Sequence, residues 1–104
     1  MASEIKDITI QYEEDGTVLV KELDKEVLSK GAWTTILFRY QQLDPKTNEY
    51  GPDRYSIRRY RKVSNEYRQQ SKFTISSVQQ ARKIIEILQK WIGSDQDTDQ
   101  DNDL

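Results

Sequence analysis

The sequence predicts an α+β fold: a curved antiparallel β-sheet of four or more strands followed by one C-terminal amphipathic helix. Two stretches, 33–43 and 54–63, divide their side chains between two faces with the period of two that a strand imposes. Val78, Ala81, Ile84, Ile85, Leu88, Trp91 and Ile92 recur at spacings of three, four and seven, which lays one apolar stripe along a helix. No other segment reads as a long amphipathic helix, so this one must cover the strands or meet a second copy.

Taken in order, Ile8, Ile10 and Tyr12 alternate with polar neighbours, so 7–12 reads as a first strand. Glu13-Glu14-Asp15-Gly16 ends in the Asp-Gly pair that hairpins favour, and 17–23 reads as the partner strand on its β-branched content. Residues 24–31 fit a loop or one helical turn, stopped by Gly31. In WTTILFRYQQL, residues 33–43, one face holds Trp33, Thr35, Leu37 and Arg39, the other Thr34, Ile36, Phe38 and Tyr40. Both faces are bulky, which assigns one to the core and the other to a partner. Residues 44–52 contain both prolines and form a turn-rich loop.

The next strand, 54–63, sets Tyr55, Ile57, Arg59 and Arg61 against Arg54, Ser56, Arg58, Tyr60 and Lys62. Ser64-Asn65-Glu66 turns it into a more polar strand over 67–75. Ser76 or Ser77 caps the helix, with Gln79 or Gln80 as the capping-box partner. Lys90 in the last turn and Gly93 just beyond suit its C-terminus.

A chain of 104 residues fits one domain, drawn here over 1–94, with DQDTDQDNDL (95–104) as a disordered acidic tail. No Cys and no His leaves no disulfide scaffold, no thiol chemistry and no imidazole metal site. The acids Asp44, Glu49, Asp53, Glu66 and Glu86 show no paired spacing, the four glycines do not cluster, and the Asp run lacks the glycine and glutamate of a calcium loop. The expectation is a non-catalytic protein without cofactor or metal. No apolar run approaches the ~20 residues of a membrane span, and Met1-Ala2-Ser3-Glu4 does not open a signal peptide. The expected place is the cytoplasm, on the nucleoid if the source is bacterial.

The net charge of −2 conceals a strong segregation. Residues 1–30 carry four Lys against eight acids, a local charge of −4; residues 31–94 carry twelve Lys and Arg against five acids, a local charge of +7. The last ten add five Asp. Within the basic middle, RYSIRRYRK at 54–62 is the densest stretch. Alternation puts Arg54, Arg58, Tyr60 and Lys62 on one face, which Phe38 and Tyr40 can join from the preceding strand. Cations neutralise phosphates and flat rings stack unpaired bases, so this combination points to single-stranded nucleic acid. Arg39, Arg68 and Lys72 can extend such a groove. Trp33 and Trp91 read as core or interface anchors, and the helix stripe as core or a dimer seam. The plainer alternative is a solvated basic strand, or a module docking an acidic protein partner through it.

Tyr55-Ser56-Ile57-Arg58-Arg59-Tyr60, a turn, Lys72-Phe73-Thr74-Ile75-Ser76 and then an amphipathic helix resemble the transcriptional coactivator family called positive cofactor four. Its bacterial relatives are small single-strand-binding proteins. The resemblance covers 31–92 and implies a homodimer whose helices pair, here through Ile84, Leu88 and Trp91, while curved sheets form grooves for single-stranded DNA. It makes Arg58 the phosphate-contacting arginine, with Tyr60 and Tyr40 at aromatic positions and Lys72 at the basic position of the last strand. The family's glycines beside that lysine are Ser71 and Phe73 here, and 1–30 has no counterpart. The acidic tail is similar in composition to those of other single-strand binders, which compete with nucleic acid or recruit a protein partner.

Overall fold

The computed structural model describes residues 2–93. The acidic tail 95–104 lies outside the described residues. A 3₁₀ turn at Ile5–Asp7 precedes strands β1 (Tyr12–Glu14), β2 (Thr17–Ser29), β3 (Trp33–Asp44), β4 (Glu49–Tyr50), β5 (Arg54–Val63) and β6 (Glu66–Ile75), then helix α1 (Val78–Ile92). All strand pairs are antiparallel, in the order β1-β2-β3-β5-β6, with the short β4 folded back on the end of β3. The predicted α+β fold, sheet first and helix last, is the fold of the chain.

Turn chemistry sets the hairpins. Asp15 and Gly16 hold φ of 51° and 81°, and Ser64 and Asn65 hold 52° and 65°. Both pairs thus adopt the left-handed backbone that a two-residue hairpin needs to match strand twist. The second hairpin continues the β5–β6 ladder from Val63↔Glu66 to Tyr55↔Ile75. At the helix, Ser77 is the N-cap, its hydroxyl accepting from the Gln80 amide at 3.0 Å. The Gln80 side chain reaches back to accept from the Ser76 amide at 2.6 Å, one residue before the cap.

The core lies on one face of the sheet. Thr34, Ile36, Phe38 and Tyr40 of β3 and Ser56 and Tyr60 of β5 are buried there. Their cover is the N-terminal segment, and here two expectations change. Residues 8–11 do not form a strand of the sheet: Ile8 and Ile10 are buried against Ile36, Phe38, Tyr40 and Tyr60, so the segment runs over the sheet. The alternation was real, but it marks a cover whose inward side chains are apolar. Residues 24–29, read as a loop or helical turn, instead extend β2, which continues along β3 to Ser29↔Thr35.

Polar side chains of β2 hold that cover. The Lys25 ammonium donates to the carbonyls of Ile5 and Lys6, each at 3.1 Å, and to that of Ile8. The Glu22 carboxylate accepts from the Thr9 hydroxyl at 2.6 Å and the Ile10 amide at 3.1 Å, and the Gln11 side chain accepts from the Glu22 amide. Glu22 lies opposite Tyr40 and Lys25 opposite Phe38, both on the core face, because the ladder shifts register between Glu22 and Asp24. A bulge at Leu23 is what makes this possible, since residues three apart on a regular strand face opposite ways. At the other edge the Tyr67 amide donates to the Ala2 carbonyl at 2.8 Å. A second bulge, between Arg59 and Tyr60, leaves Gln70 unpaired and turns Tyr67 toward the cover.

Hydrogen bonds to a charged donor contribute about 1.5–3 kcal/mol. Lys25→Met, which keeps the stem and removes the ammonium, is expected to lower stability by about that amount in urea denaturation. An unchanged midpoint would mean that Ile8 and Ile10 hold the segment without it.

Candidate nucleic-acid interface

The alternation predicted from the sequence groups Phe38, Tyr40, Arg54, Arg58, Tyr60 and Lys62 on a single face, as the β3–β5 register confirms, and the β5–β6 register adds Lys72. That face is the covered one, and the consequence for the aromatics is a correction. Phe38 is fully buried, and Tyr40 and Tyr60 nearly so. Phe38 and Tyr60 meet edge to face, with ring centroids 6.5 Å apart and planes at 72°. None of the three presents a ring to a base while residues 2–11 occupy the face. They are core residues because an apolar sheet face finds its nearest cover in the chain's own N-terminus.

The cations of that face stay nearer the surface. Arg58 is half-buried, its guanidinium donating to the Ser56 hydroxyl at 3.2 Å and to the Gln69 side-chain oxygen Oε1 at 3.0 Å. Lys72 is directly opposite on β6 and exposed. Lys62 is exposed, its ammonium 5.3 Å from the centroid of Tyr67. Arg54 lies further along, opposite Tyr40. Burial pushes the Tyr60 hydroxyl above the ordinary tyrosine range, while the positive charge of neighbouring Arg58 and its hydrogen bond pull the other way.

Arg39 does not join them. It projects from the opposite, open face and meets the Asp53 carboxylate at 3.6 Å, which also accepts from Gln41 at 2.8 Å. This open face holds Leu37, Ile57 and Phe73, of which Phe73 is 53% exposed. Helix α1 leans over one end of it without closing on it. A cleft of about 450 Å³ separates Leu37, Ile57 and Ile75 on the sheet from Val78, Ala81 and Ile85 on the helix. No residue of α1 is buried. Of the predicted seam, Ile84 is half-covered, Leu88 is exposed and Trp91 is 75% exposed.

The far end of the open face holds a cluster that the sequence reading passed over. Trp33, expected to anchor a core or an interface, is 40% exposed. The guanidinium of Arg59 lies 4.3 Å from its ring centroid and that of Arg61 5.5 Å. The signal was present in the alternation, which grouped Arg59 with Arg61, but Trp33 joins them only through the pairing Trp33↔Arg61.

Among the described residues, Arg54, Arg58, Arg59, Arg61, Lys62 and Lys72 have no carboxylate within 4 Å, whereas Arg39 and Arg68 pair with Asp53 and Glu66. No group of three potential ligands is set to hold a metal among those residues. Nor is any of their helices long and apolar enough to cross a membrane. Comparison with protein-family models, curated proteins and solved structures returned no match.

The Tyr60 shift carries a pH dependence. A folded-state pKa raised above ~10 contributes stability that is complete below that pH and is lost as pH rises through the folded value. Stability should therefore fall in alkali, and less steeply in Tyr60→Phe. The variant should also lack a tyrosine that ionises above the ordinary range in an ultraviolet titration; an unaltered curve would contradict this.

Proposed function

We propose that the chain binds single-stranded nucleic acid without catalysis, as a homodimer, in a transcription or DNA-maintenance role. The observation that carries this reading is the set of cations on β5 and β6 left without carboxylate partners among the described residues: Arg54, Arg58, Arg59, Arg61, Lys62 and Lys72. The chain has eighteen acids, yet its densest run of cations is not neutralised by those described, which suits it to an external polyanion. The resemblance to the positive cofactor four family supports a single strand over a duplex. Arg58 is held toward the surface by Ser56 and Gln69, so its charge needs little ordering when a phosphate arrives.

The exposed stripe of α1 supports the homodimer. An isolated helix of fifteen residues is marginal in water, and this one buries no residue on its own sheet. Ile84, Leu88 and Trp91 are the residues assigned to the seam, with the open face beyond the cleft as further apolar surface. The buried Phe38, Tyr40 and Tyr60 take no part in binding in this arrangement; the phosphate contacts fall to Arg54, Arg58, Lys62 and Lys72.

Anisotropy of a labelled strand of ~20 nucleotides, against the same sequence as duplex, tests the function. Four phosphate contacts predict a slope of log affinity on log salt of about −3, from −0.7 per contact. Arg58→Ala should reduce its magnitude by about 0.7; no binding at low salt would remove the proposal and leave an acidic protein partner as the better candidate for these cations. Leu88→Glu should convert a dimeric mass in light scattering to a monomeric one. A monomeric parent chain would overturn the dimer and leave the helix face without its assigned partner.

A further inference from the structure

We infer that Trp33, with Arg59 and Arg61, is the base-stacking site for a single strand, placed on the open face of the sheet. The inference rests on the proposed function and names the site that the buried aromatics cannot supply.

Strand geometry dictates the position. Thr34 is fully buried on the core face, so Trp33 must project from the other side. The Lys62 amide donates to the Ala32 carbonyl at 3.0 Å, tying the start of β3 to the end of β5 and holding Trp33 opposite Arg61. Arg59 follows two residues away on the same face. The cleft under α1 is lined by Leu37, Tyr55, Ile57 and Ile75 rather than by Trp33, so the helix leaves the indole accessible.

The chemistry is specific for one ligand class. Arg59 and Arg61 have no carboxylate within 4 Å among the described residues; the group their charges face is the indole ring. Guanidinium groups beside an exposed ring present flat surfaces and positive charge in the same few ångströms. An unpaired nucleotide has the complement of both, a base with a π face and a phosphate. A duplex keeps its bases stacked on each other and offers only the phosphates. An acidic peptide likewise offers charge without an obligatory ring. Arg68, opposite Arg61 on β6, continues the row across the sheet, although its own charge is shared with Glu66 at 3.2 Å.

Trp33 and Trp91 are the two tryptophans of the chain, so Trp91→Phe leaves Trp33 as the sole indole emitter. This full-length variant is titrated with an oligothymidine of ~20 nucleotides and with an abasic strand of the same length. The oligothymidine should quench Trp33 emission and the abasic strand should not. Trp33→Ala should weaken oligothymidine binding by roughly 5- to 150-fold, the range of one stacked base, with abasic binding and the salt slope nearly unchanged. Trp33→Phe should recover part of the loss.

If the oligothymidine binds by anisotropy without quenching Trp33, the site is elsewhere and the proposed function survives. An equal loss of affinity for both strands in Trp33→Ala, or a changed mass in light scattering, would make Trp33 structural and overturn the inference. If neither strand binds the parent chain at low salt, the proposed function fails and the inference falls with it. The quenching is measured with Trp33 in place, so it decides the matter even if Trp33→Ala does not fold.

Discussion

Glu22 and Lys25 hold the N-terminal segment on the sheet, and a bulge at Leu23 is the constraint that lets both of them face it. Without the bulge, with Leu23 paired in a regular ladder, one of the two would point to the open face and the segment would lose its carboxylate or its ammonium. With it, residues 2–11 cover Ile36, Phe38, Tyr40 and Tyr60, and the molecule has its core. A single sheet has two faces, and this segment can cover only one. The other face therefore keeps Leu37, Ile57, Phe73 and Trp33 at least partly in contact with solvent. The incomplete cover from α1, the cleft beneath it and the exposed helix stripe all follow from that division.

The division also explains why cations and aromatics that are neighbours in sequence part company in space. In β5, Tyr60 goes under the cover while Arg59 and Arg61 go to the open side, and Arg58 reaches the margin of the covered side. Guanidinium groups on long stems can escape a covered face, whereas a ring directly attached near the backbone cannot. A basic, tyrosine-rich strand thus yields a phosphate-facing edge from one alternation and an aromatic-cation cluster from the other. The Trp33 cluster is assembled across two strands and is invisible within either.

Much of the fold was legible. The two faces of β3 and β5, the turns at Asp15-Gly16 and at Ser64-Asn65-Glu66 (whose last residue already belongs to β6), a serine cap at 76 or 77 and the extent of α1 all follow from local rules acting over a few residues. Three features were not. Residues 8–11 alternate as a strand would, but period-two alternation reports only that one side is buried, and a segment lying over a sheet satisfies it equally. The continuation of β2 through 24–29 was hidden by charged residues and by bulges at Leu23 and Leu28, which break the pattern that strands are read from. The third was which face would be the inner one. Both carry bulky apolar groups, and the choice rests on long-range contacts to Ile8 and Ile10. The candidate site inherited that ambiguity: the residues grouped on one face were grouped correctly, and the face was the buried one.

The bulge at Gln70 offers the chain a route of change that leaves every surrounding side chain intact. Below it, Tyr67 faces the cover and Arg68 the open side, the reverse of what uninterrupted alternation from Ser71 would give. Loss of that one codon would remove the bulge and leave both where they are, since Gln69 would then adjoin Ser71 and alternate with it. The strand can therefore shed one residue at this point without moving charge from one face to the other.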